Sequence, residues 1–321
     1  MKIVALLIST FVLFVNAAAA QDARRMVVGF PPGGTLDVLS RAMAPALGED
    51  LGGSVIIENQ AGAGSLVAAQ AVARAKPDGR TLLVAPVVVP AFMPHLYRKL
   101  GFDPLTDLVP VAELGSFNFA LVVSSALPVK TLAEWLAYCK ANPGKVSFGS
   151  FGAGTPAHFL GVMFNRAAGT DMLHVPYKGG APVLTALLGG EIQAAFLLTG
   201  GMAVEQSQAG KIRVLAVTGS ARSAVLPTVP TFAEAGLGLK EMENASLWYG
   251  FFAPKGTSSA DVERLNRALV AAVRTPKVRD VLVREDIAPS GLSAGDFAQK
   301  VRRDHRDWGE VIRSTGFTLE Q

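Results

Sequence analysis

Two glycine-rich loops carry the residues best suited to hold a small molecule. Phe30-Pro-Pro-Gly-Gly-Thr35 and Ser150-Phe-Gly-Ala-Gly-Thr155 each lead from an apolar run into a segment with helical periodicity. Glycine lets the main chain approach a ligand closely, and the free N–H groups at the start of a helix favour an anion. Hydroxyls at Thr35, Ser150 and Thr155 add donors and acceptors. If the loops lie in opposing lobes, they form a double clamp for a carboxylate.

The pair of loops carries more weight than either loop alone, because one such loop is more typical of an ordinary turn between a strand and a helix. Neither loop contains arginine or lysine, so main-chain geometry should matter more than any charge. Valine at Gly34 or Gly154 is expected to abolish binding and leave the fold intact. Alanine at Lys178 is expected to change affinity by less than tenfold, about 1.4 kcal/mol.

Catalytic and metal-binding patterns are otherwise missing from the sequence. It contains no G-x-S-x-G, no P-loop and no complete G-x-G-x-x-G, and its four histidines lack metal-ligand spacing, so no metal or cofactor is expected. Ser150 and His158 could act as nucleophile and base, but a third orienting group is not evident, and serine before a helix is more often a cap. A secreted hydrolase is therefore a minor alternative, and we do not expect an enzyme.

The first twenty residues have the layout of a secretory signal peptide. Lys2 precedes an apolar run over residues 3–15, and Ala18-x-Ala20 predicts cleavage before Gln21. The run is shorter than the about 20 apolar residues that cross a bilayer, although an uncleaved anchor is the alternative. We therefore expect residues 21–321 to be periplasmic.

Composition indicates two domains and argues against nucleic acid as a partner. The mature chain is long for one hydrophobic core, and 50% hydrophobic residues against 17% charged residues supply ample core material. The net charge of +4 is spread along the chain, and no basic tract alternates with aromatic residues.

Strands and helices alternate in two successive regions and end in a helical tail. Predicted strands cover residues 26–30, 54–58, 81–85, 119–124, 146–149, 173–176, 192–198, 212–217 and 247–253. Predicted helices cover residues 36–47, 65–75, 131–142, 181–188, 258–273, 276–284 and 293–314, with another starting at Pro156. Capping boxes mark starts at Thr131, Thr231, Ser258 and Ser293.

The helical tail has no sheet of its own, so we expect it to pack on the first region. The predicted lobes are residues 21–116 with 250–321, and residues 117–249. The chain would cross between them near 117–123 and near 247–253, and two crossings form a hinge beside a cleft. The sequence thus predicts an α/β fold of two lobes.

A series of short motifs resembles the tripartite tricarboxylate transporter substrate-binding proteins, also called the Bug receptor family. The motifs follow one another along nearly the whole mature chain, and their order is more specific than any one of them. They are Phe30-Pro-Pro-Gly-Gly-Thr-Leu-Asp37, Glu58-Asn-Gln-Ala-Gly-Ala-Gly64, Ala73-Arg-Ala-Lys-Pro-Asp-Gly79, Pro143-Gly144, His174-Val-Pro-Tyr-Lys-Gly179, Leu187-Leu-Gly-Gly190, Ala209-Gly-Lys-Ile-Arg-Val-Leu-Ala-Val-Thr218, Val229-Pro-Thr-Phe-Ala-Glu-Ala-Gly236 and Trp248-Tyr-Gly-Phe-Phe-Ala-Pro254.

The resemblance implies a type II periplasmic-binding-protein fold that closes like a Venus flytrap and delivers its ligand to membrane permease subunits of a tripartite tricarboxylate transporter. It also implies that main-chain donors and ordered water hold a small organic carboxylate at the two loops. The implied site residues are Phe30, Gly33, Gly34, Thr35, Asp37, Ser150, Gly152, Gly154, Thr155 and His158. Asp37 has two open roles, orienting its loop or meeting a polar ligand group.

Two segments depart from the family pattern, and both are expected to border the cleft. Where the family often has a polar loop, this chain has Pro86-Val-Val-Val-Pro90, and where the family often has an aspartate, it has Leu197-Leu-Thr199. Val87 and Thr199 are therefore further candidate contacts. Because an unpaired carboxylate against an apolar wall is costly, the departures predict a ligand with one carboxylate and an apolar or aromatic body, in place of succinate or citrate.

The aromatic residues Phe30, Phe92 and Trp248 are candidates to cover such a ring, although each is also a candidate core residue. A module that reports its ligand to a membrane sensor is the alternative to a module that serves uptake.

Overall fold

A computed structural model of the protein describes residues 23–238, 243 and 247–319, and the predicted signal peptide lies outside this part. The strands are β1 Arg24–Val28, β2 Val55–Asn59, β3 Thr81–Pro86, β4 Leu108–Ser116, β5 Phe119–Ser124, β6 Ser147–Ser150, β7 Leu173–Pro176, β8 Ala194–Leu198, β9 Ile212–Val217, β10 Trp248–Pro254 and β11 Ala288–Pro289. The helices are α1 Thr35–Leu51, α2 Leu66–Ala73, α3 Val88–Ala91, α4 Met93–Leu96, α5 Leu132–Ala141, α6 Pro156–Ala168, α7 Gly180–Gly189, α8 Met202–Gln208, α9 Ser259–Val273, α10 Pro276–Arg284 and α11 Ala294–Thr315.

Two separate mixed sheets form the frame of the described part. The first has the order β11-β4-β10-β3-β1-β2, and the second has the order β7-β6-β8-β5-β9. In the first, β1 runs parallel to β2 and β3, whereas β10 is antiparallel to β3 and β4. In the second, β6 runs parallel to β7 and β8, whereas β5 is antiparallel to β8 and β9. The predicted α/β fold of two lobes is confirmed.

Local sequence signals account for most helix boundaries. In α1, Leu36, Leu39, Met43 and Leu47 are all buried, as their helical spacing predicts. The side chains of Thr131, Ser258 and Ser293 each accept a hydrogen bond from the N–H group three residues later, which confirms three predicted caps.

The fourth predicted cap has a different outcome. Thr231 and Glu234 make both reciprocal bonds of a capping box, but the residues that follow form a turn.

The chain passes from the first sheet to the second between β4 and β5, which Phe117 and Asn118 separate. At this crossing the N–H group of Phe117 donates to the carbonyl of Leu247 at 3.0 Å, so the outgoing and returning chains lie side by side. Trp248 and Tyr249 pair within the first sheet, so the returning chain has joined that sheet by residue 248. The predicted lobe boundary after residue 249 stays a prediction.

The C-terminal helices pack against the first sheet, with α9 and α11 both lying on β4. Asn266 of α9 donates to the carbonyl of Val111 at 2.8 Å, and the indole N–H of Trp248 donates to Asp304 of α11 at 2.7 Å. Strand β4 itself and the short helices α3, α4 and α8 were not predicted. Within residues 23–238 and 247–319, no helix combines the length and apolar character that a bilayer span requires.

Candidate functional site

The first loop connects β1 to α1, and it is exposed from Pro31 to Gly34. Gly33 has a φ of +84°, a left-handed conformation that glycine adopts readily. No side chain caps α1 at Gly34. Because the first N–H groups of a helix have no partner within it, this N-terminus presents main-chain donors and a partial positive charge.

Asp37 fastens the first loop to its surroundings. Its carboxylate accepts the N–H of Gly33 at 2.9 Å, the guanidinium of Arg41 at 3.0 Å and the amide of Asn59 at 2.9 Å. Asn59 also donates to the carbonyl of Phe30 at 3.0 Å. Burial would raise the pKa of Asp37, but the hydrogen bonds from Arg41, Gly33 and Asn59 outweigh it and lower that pKa. With 3% of the residue exposed, Asp37 orients the loop in this structure.

Glu285 is a functional candidate that sequence analysis missed. The hydroxyl of Thr35, the first residue of α1, donates to Oε2 of Glu285 at 3.1 Å. Glu285 directly follows α10 and contacts the turn between β8 and α8, where the N–H of Gly201 donates to the carbonyl of Arg284 at 3.2 Å. Since Thr35 and Glu285 are 250 positions apart, no local spacing indicates the contact.

The second loop begins at the end of β6 with a polar network around Ser150. The hydroxyl of Ser150 lies 2.6 Å from Nε2 of His174 and 2.9 Å from the carbonyl of Gly152. His174 belongs to β7, which runs parallel beside β6. The pairing of Ser150 with His158 considered from the sequence is therefore wrong in this structure, because His174 occupies that position.

His158 supports the loop from the first turn of α6. Its Nδ1 accepts the N–H of Gly154 at 3.2 Å, and its ring stacks on His174 with a centroid distance of 4.0 Å. Burial lowers the pKa of His158, and burial together with the charge on His158 lowers the pKa of His174 to about 4. Both rings are neutral at pH 7.

This geometry is poor for a hydrolase. Ser150 is 0% exposed, so a substrate carbonyl cannot reach its hydroxyl without rearrangement. No carboxylate in the described part of the chain bonds to either histidine, although a nucleophilic serine is normally served by an oriented base.

The second loop uses many of its donors internally. The hydroxyl of Thr155 donates to the carbonyl of Gly152 at 2.7 Å, the N–H of Gly152 donates to Ser150, and Pro156 has no N–H to offer. This loop therefore has fewer main-chain donors to offer than the first one.

Gly154 has little room for a larger side chain. It has a φ of +78°, and an added Cβ would lie 3.1 Å from Leu319 and 3.2 Å from Leu96. The N–H of Leu319 donates to the carbonyl of Leu96 at 2.8 Å, and Leu96 ends α4, which packs on the C-terminal helix α11. The second loop therefore contacts the segments that accompany the first sheet. Gly154→Val is therefore expected to destabilise the protein, and the expectation that it leaves the fold intact stays a prediction. An added Cβ at Gly34 makes only an ordinary contact of 3.6 Å with Pro31.

Several predicted contacts are core residues in this structure. Val87 is fully buried, its N–H donates to Trp248 and its carbonyl accepts from Ala91, so nothing here supports its role as a ligand contact. The side chains of Phe92 and Trp248 are also fully buried. Thr199 is 1% exposed and donates twice to the carbonyl of Asn118.

Each loop carries a half-buried ring, Phe30 in the first and Phe151 in the second. A chain of rings leads to the second loop from β10. Tyr249 stacks on Phe117 at 4.4 Å, Phe117 lies 6.1 Å from Phe119, and Phe119 lies 5.9 Å from Phe151. This chain crosses the hinge.

A cavity of about 1550 Å³ lies elsewhere between the two sheets. Its lining includes Phe117, Arg166, Arg222, Asp286 and Lys300, and none of the predicted site residues borders it. Its lining also includes Glu243 and Leu247, and the cavity does not define the predicted site. The predicted residues instead form two groups, one around each loop.

In the described residues no hydrogen bond or ring contact joins these two groups directly. Glu285 lies between Thr35 of the first loop and Gly201 of the second lobe.

Two α/β sheets joined by a double crossing, with a strand–helix loop from each at the lobe boundary, define a periplasmic binding protein of the two-lobe type. The tripartite tricarboxylate transporter family receptor model matches residues 39–317, and the chain belongs to this family.

Three solved structures of similar proteins match this chain over almost its whole length. The periplasmic binding protein BugD is 30% identical with a TM-score of 0.80, covering 93% of this chain and 99% of its own. The R. palustris protein Rpa4515 with adipate is 31% identical with a TM-score of 0.82, covering 92% and 98%. MatC from Rhodopseudomonas palustris with bound malate is 31% identical with a TM-score of 0.78, covering 90% and 99%.

Proposed function

We propose that this protein captures a small organic carboxylate between its lobes and delivers it to the membrane permease subunits of a tripartite tricarboxylate transporter. The observation that carries the proposal is the first loop. It is exposed and bonded to Asp37, and the uncapped N-terminus of α1 lies beside Glu285, whose main chain touches Gly200 of the second lobe. The acids bound to two similar proteins, adipate and malate, support the same ligand class.

The clamp is asymmetric in this proposal. The α1 N-terminus supplies most of the main-chain donors for the carboxylate, because the second loop already uses several of its own. The second loop closes over the rest of the ligand, with Phe151 beside it. Gly33, Gly34 and Thr35 are the principal contacts, and the second loop adds Gly152 and Thr155.

A ligand with one carboxylate and an apolar or aromatic body remains our preferred interpretation. Phe92, Trp248 and Val87 are buried in the core. Phe30 and Phe151 are therefore the side chains that we expect to contact an apolar or aromatic ligand body. They are the half-buried rings of the two loops. A flat apolar body between them would remove apolar surface from water without leaving polar groups unpaired.

Export completes the proposal, because a ligand receptor of a membrane transporter acts outside the cytoplasm. Periplasmic protein should begin at Gln21 or within a residue or two of it, as mass spectrometry would show. An intact Met1 in the membrane fraction would contradict this part of the proposal.

A thermal-shift screen of residues 21–321 against carboxylic acids tests the function. It should include benzoate-type acids, adipate, malate, succinate and citrate, with neutral amides of the same acids as controls. The function predicts that at least one acid raises the melting temperature in a concentration-dependent way and that its amide does not. No shift with any acid would contradict it.

A further inference from the structure

Glu285 places a carboxylate at the very helix terminus that is expected to bind the ligand. Its Oε2 accepts the hydroxyl of Thr35 at 3.1 Å, and its side chain is 19% exposed. The neighbouring Arg284 is its other partner in the described part of the chain. The Arg284 guanidinium lies 3.1 Å from Oε1, and this side chain is 59% exposed. An ion pair with such an exposed side chain is weak, so the charge of Glu285 is not neutralised at the site.

Contacts with the second lobe fix the position of Glu285. An added Cβ at Gly200 would lie 2.2 Å from the carbonyl carbon of Glu285, so the two main chains touch. The N–H of Gly201 donates to Arg284 at 3.2 Å. The residue after Glu285, Asp286, has a φ of +52°, which turns the chain sharply there. The carboxylate is therefore held between the lobes.

The negative charge of Glu285 acts on Tyr249 of β10. Burial raises the pKa of Tyr249, and the negative charge of Glu285 raises it further. Tyr249 lies on β10 and stacks on Phe117 at the hinge. Glu285, Thr35 and the hinge therefore lie close to one another.

These positions restrict the ligand. A carboxylate bound to the first N–H groups of α1 would lie close to Glu285, and like charges at short range repel. A hydroxyl or ammonium group on the carbon next to the ligand carboxylate would remove the conflict, because it could donate to Glu285 while the carboxylate accepts from the helix. A ligand without such a donor would leave the two charges facing each other.

Resting on the proposed function, we propose that Glu285 is a specificity-determining residue that selects acids with a hydrogen-bond donor beside the carboxylate, namely 2-hydroxy or protonated 2-amino acids. Thr35 holds Glu285 in place, and Glu285 accepts the ligand's donor.

Calorimetric titration with two matched pairs of acids tests this selection. Mandelate is compared with phenylacetate, and malate with succinate, at fixed pH and salt. The wild-type protein should prefer the hydroxy acid of the better-bound pair by at least tenfold, about 1.4 kcal/mol. In Glu285→Gln and in Glu285→Ala that preference should fall below threefold, mainly through tighter binding of the unsubstituted acid.

Glu263→Gln is the matched control, because Glu263 is an exposed residue of α9, and it should keep the wild-type preference. Thermal melts of each variant without ligand confirm that it is folded. Equal affinities within both pairs in the wild type, or a preference that survives both Glu285 variants, would overturn the inference and leave the proposed function standing. If none of the four acids nor any acid of the wider screen binds, the proposed function fails, and the inference fails with it.

Discussion

The hydroxyl of Ser150 lies 2.6 Å from Nε2 of His174, and this contact joins the second loop to the neighbouring strand. The same hydroxyl bonds to both main-chain polar atoms of Gly152. His174 in turn stacks on His158. The conformation of the second loop therefore depends on a polar network as much as on its glycines.

Ser150→Ala should lower the free energy of unfolding by about 1–3 kcal/mol, because half-buried His174 and the main chain of Gly152 lose a hydrogen-bond partner. Urea unfolding measures this change. The wild-type protein should not hydrolyse p-nitrophenyl acetate above the rate in buffer. Hydrolysis by the wild type that Ser150→Ala removes would favour the hydrolase alternative.

Acid should destabilise the protein through the histidine pair. The pKa of His174 is about 4 in the folded chain and about 6.5 when unfolded, so the unfolded chain binds more protons between these values. Stability is therefore fully present above pH 6.5 and falls as the pH drops toward 4, by roughly 2 to 3 kcal/mol. Urea midpoints across this range measure the slope, which should decrease in His174→Asn. An unchanged slope would show that other groups cause it.

Valine substitutions should separate the roles of two glycines. Gly34→Val should fold normally and bind the best acid of the screen at least tenfold more weakly. The added Cβ makes only an ordinary 3.6 Å contact with Pro31, and the rest of the side chain would occupy space where the ligand is expected. Gly154→Val should unfold at a lower temperature, because its left-handed φ and its contact with Leu319 both oppose a side chain. Melting curves and calorimetry distinguish these effects. Normal binding by a folded Gly34→Val would argue against the α1 clamp.

Asp37→Asn should weaken acid binding by at least tenfold, because the loop loses charge-assisted bonds to Gly33 and Arg41. Arg41→Ala is the matched control. It leaves the bonds from Gly33 and Asn59 in place, so it should weaken binding less. Calorimetry of both variants with one acid makes the comparison, and a larger effect for Arg41→Ala would contradict the role given to Asp37.

Much of the fold could be predicted because apolar runs end at clear turn signals. The bounds of β5, β7, β9 and α10 agree with the sequence prediction, whereas β4 was missed. Glu113 and Gly115 interrupt its apolar pattern. The carboxylate of Glu113 pairs with Lys300 and accepts the hydroxyl of Ser290, and both residues lie far along the chain. Tertiary contacts of this kind cannot be inferred from periodicity.

The candidate site was predictable only where its contacts are local. Asp37 and Gly33 are four positions apart, and their shared loop suggested an orienting role. The partnership of Ser150 with His174 depends on the pairing of β6 with β7, and the contact of Thr35 with Glu285 depends on how α10 packs. For Val87, an apolar run is compatible with both a cleft wall and a core, and the sequence does not distinguish them.

A crystal structure with the acid that binds best in the screen would show where the ligand lies. We expect it between the lobes, with a carboxylate oxygen within about 3.2 Å of main-chain N–H groups at residues 34–36. A ligand held in the cavity beside Arg166 and Arg222, with the first loop unoccupied, would contradict a carboxylate clamp at α1.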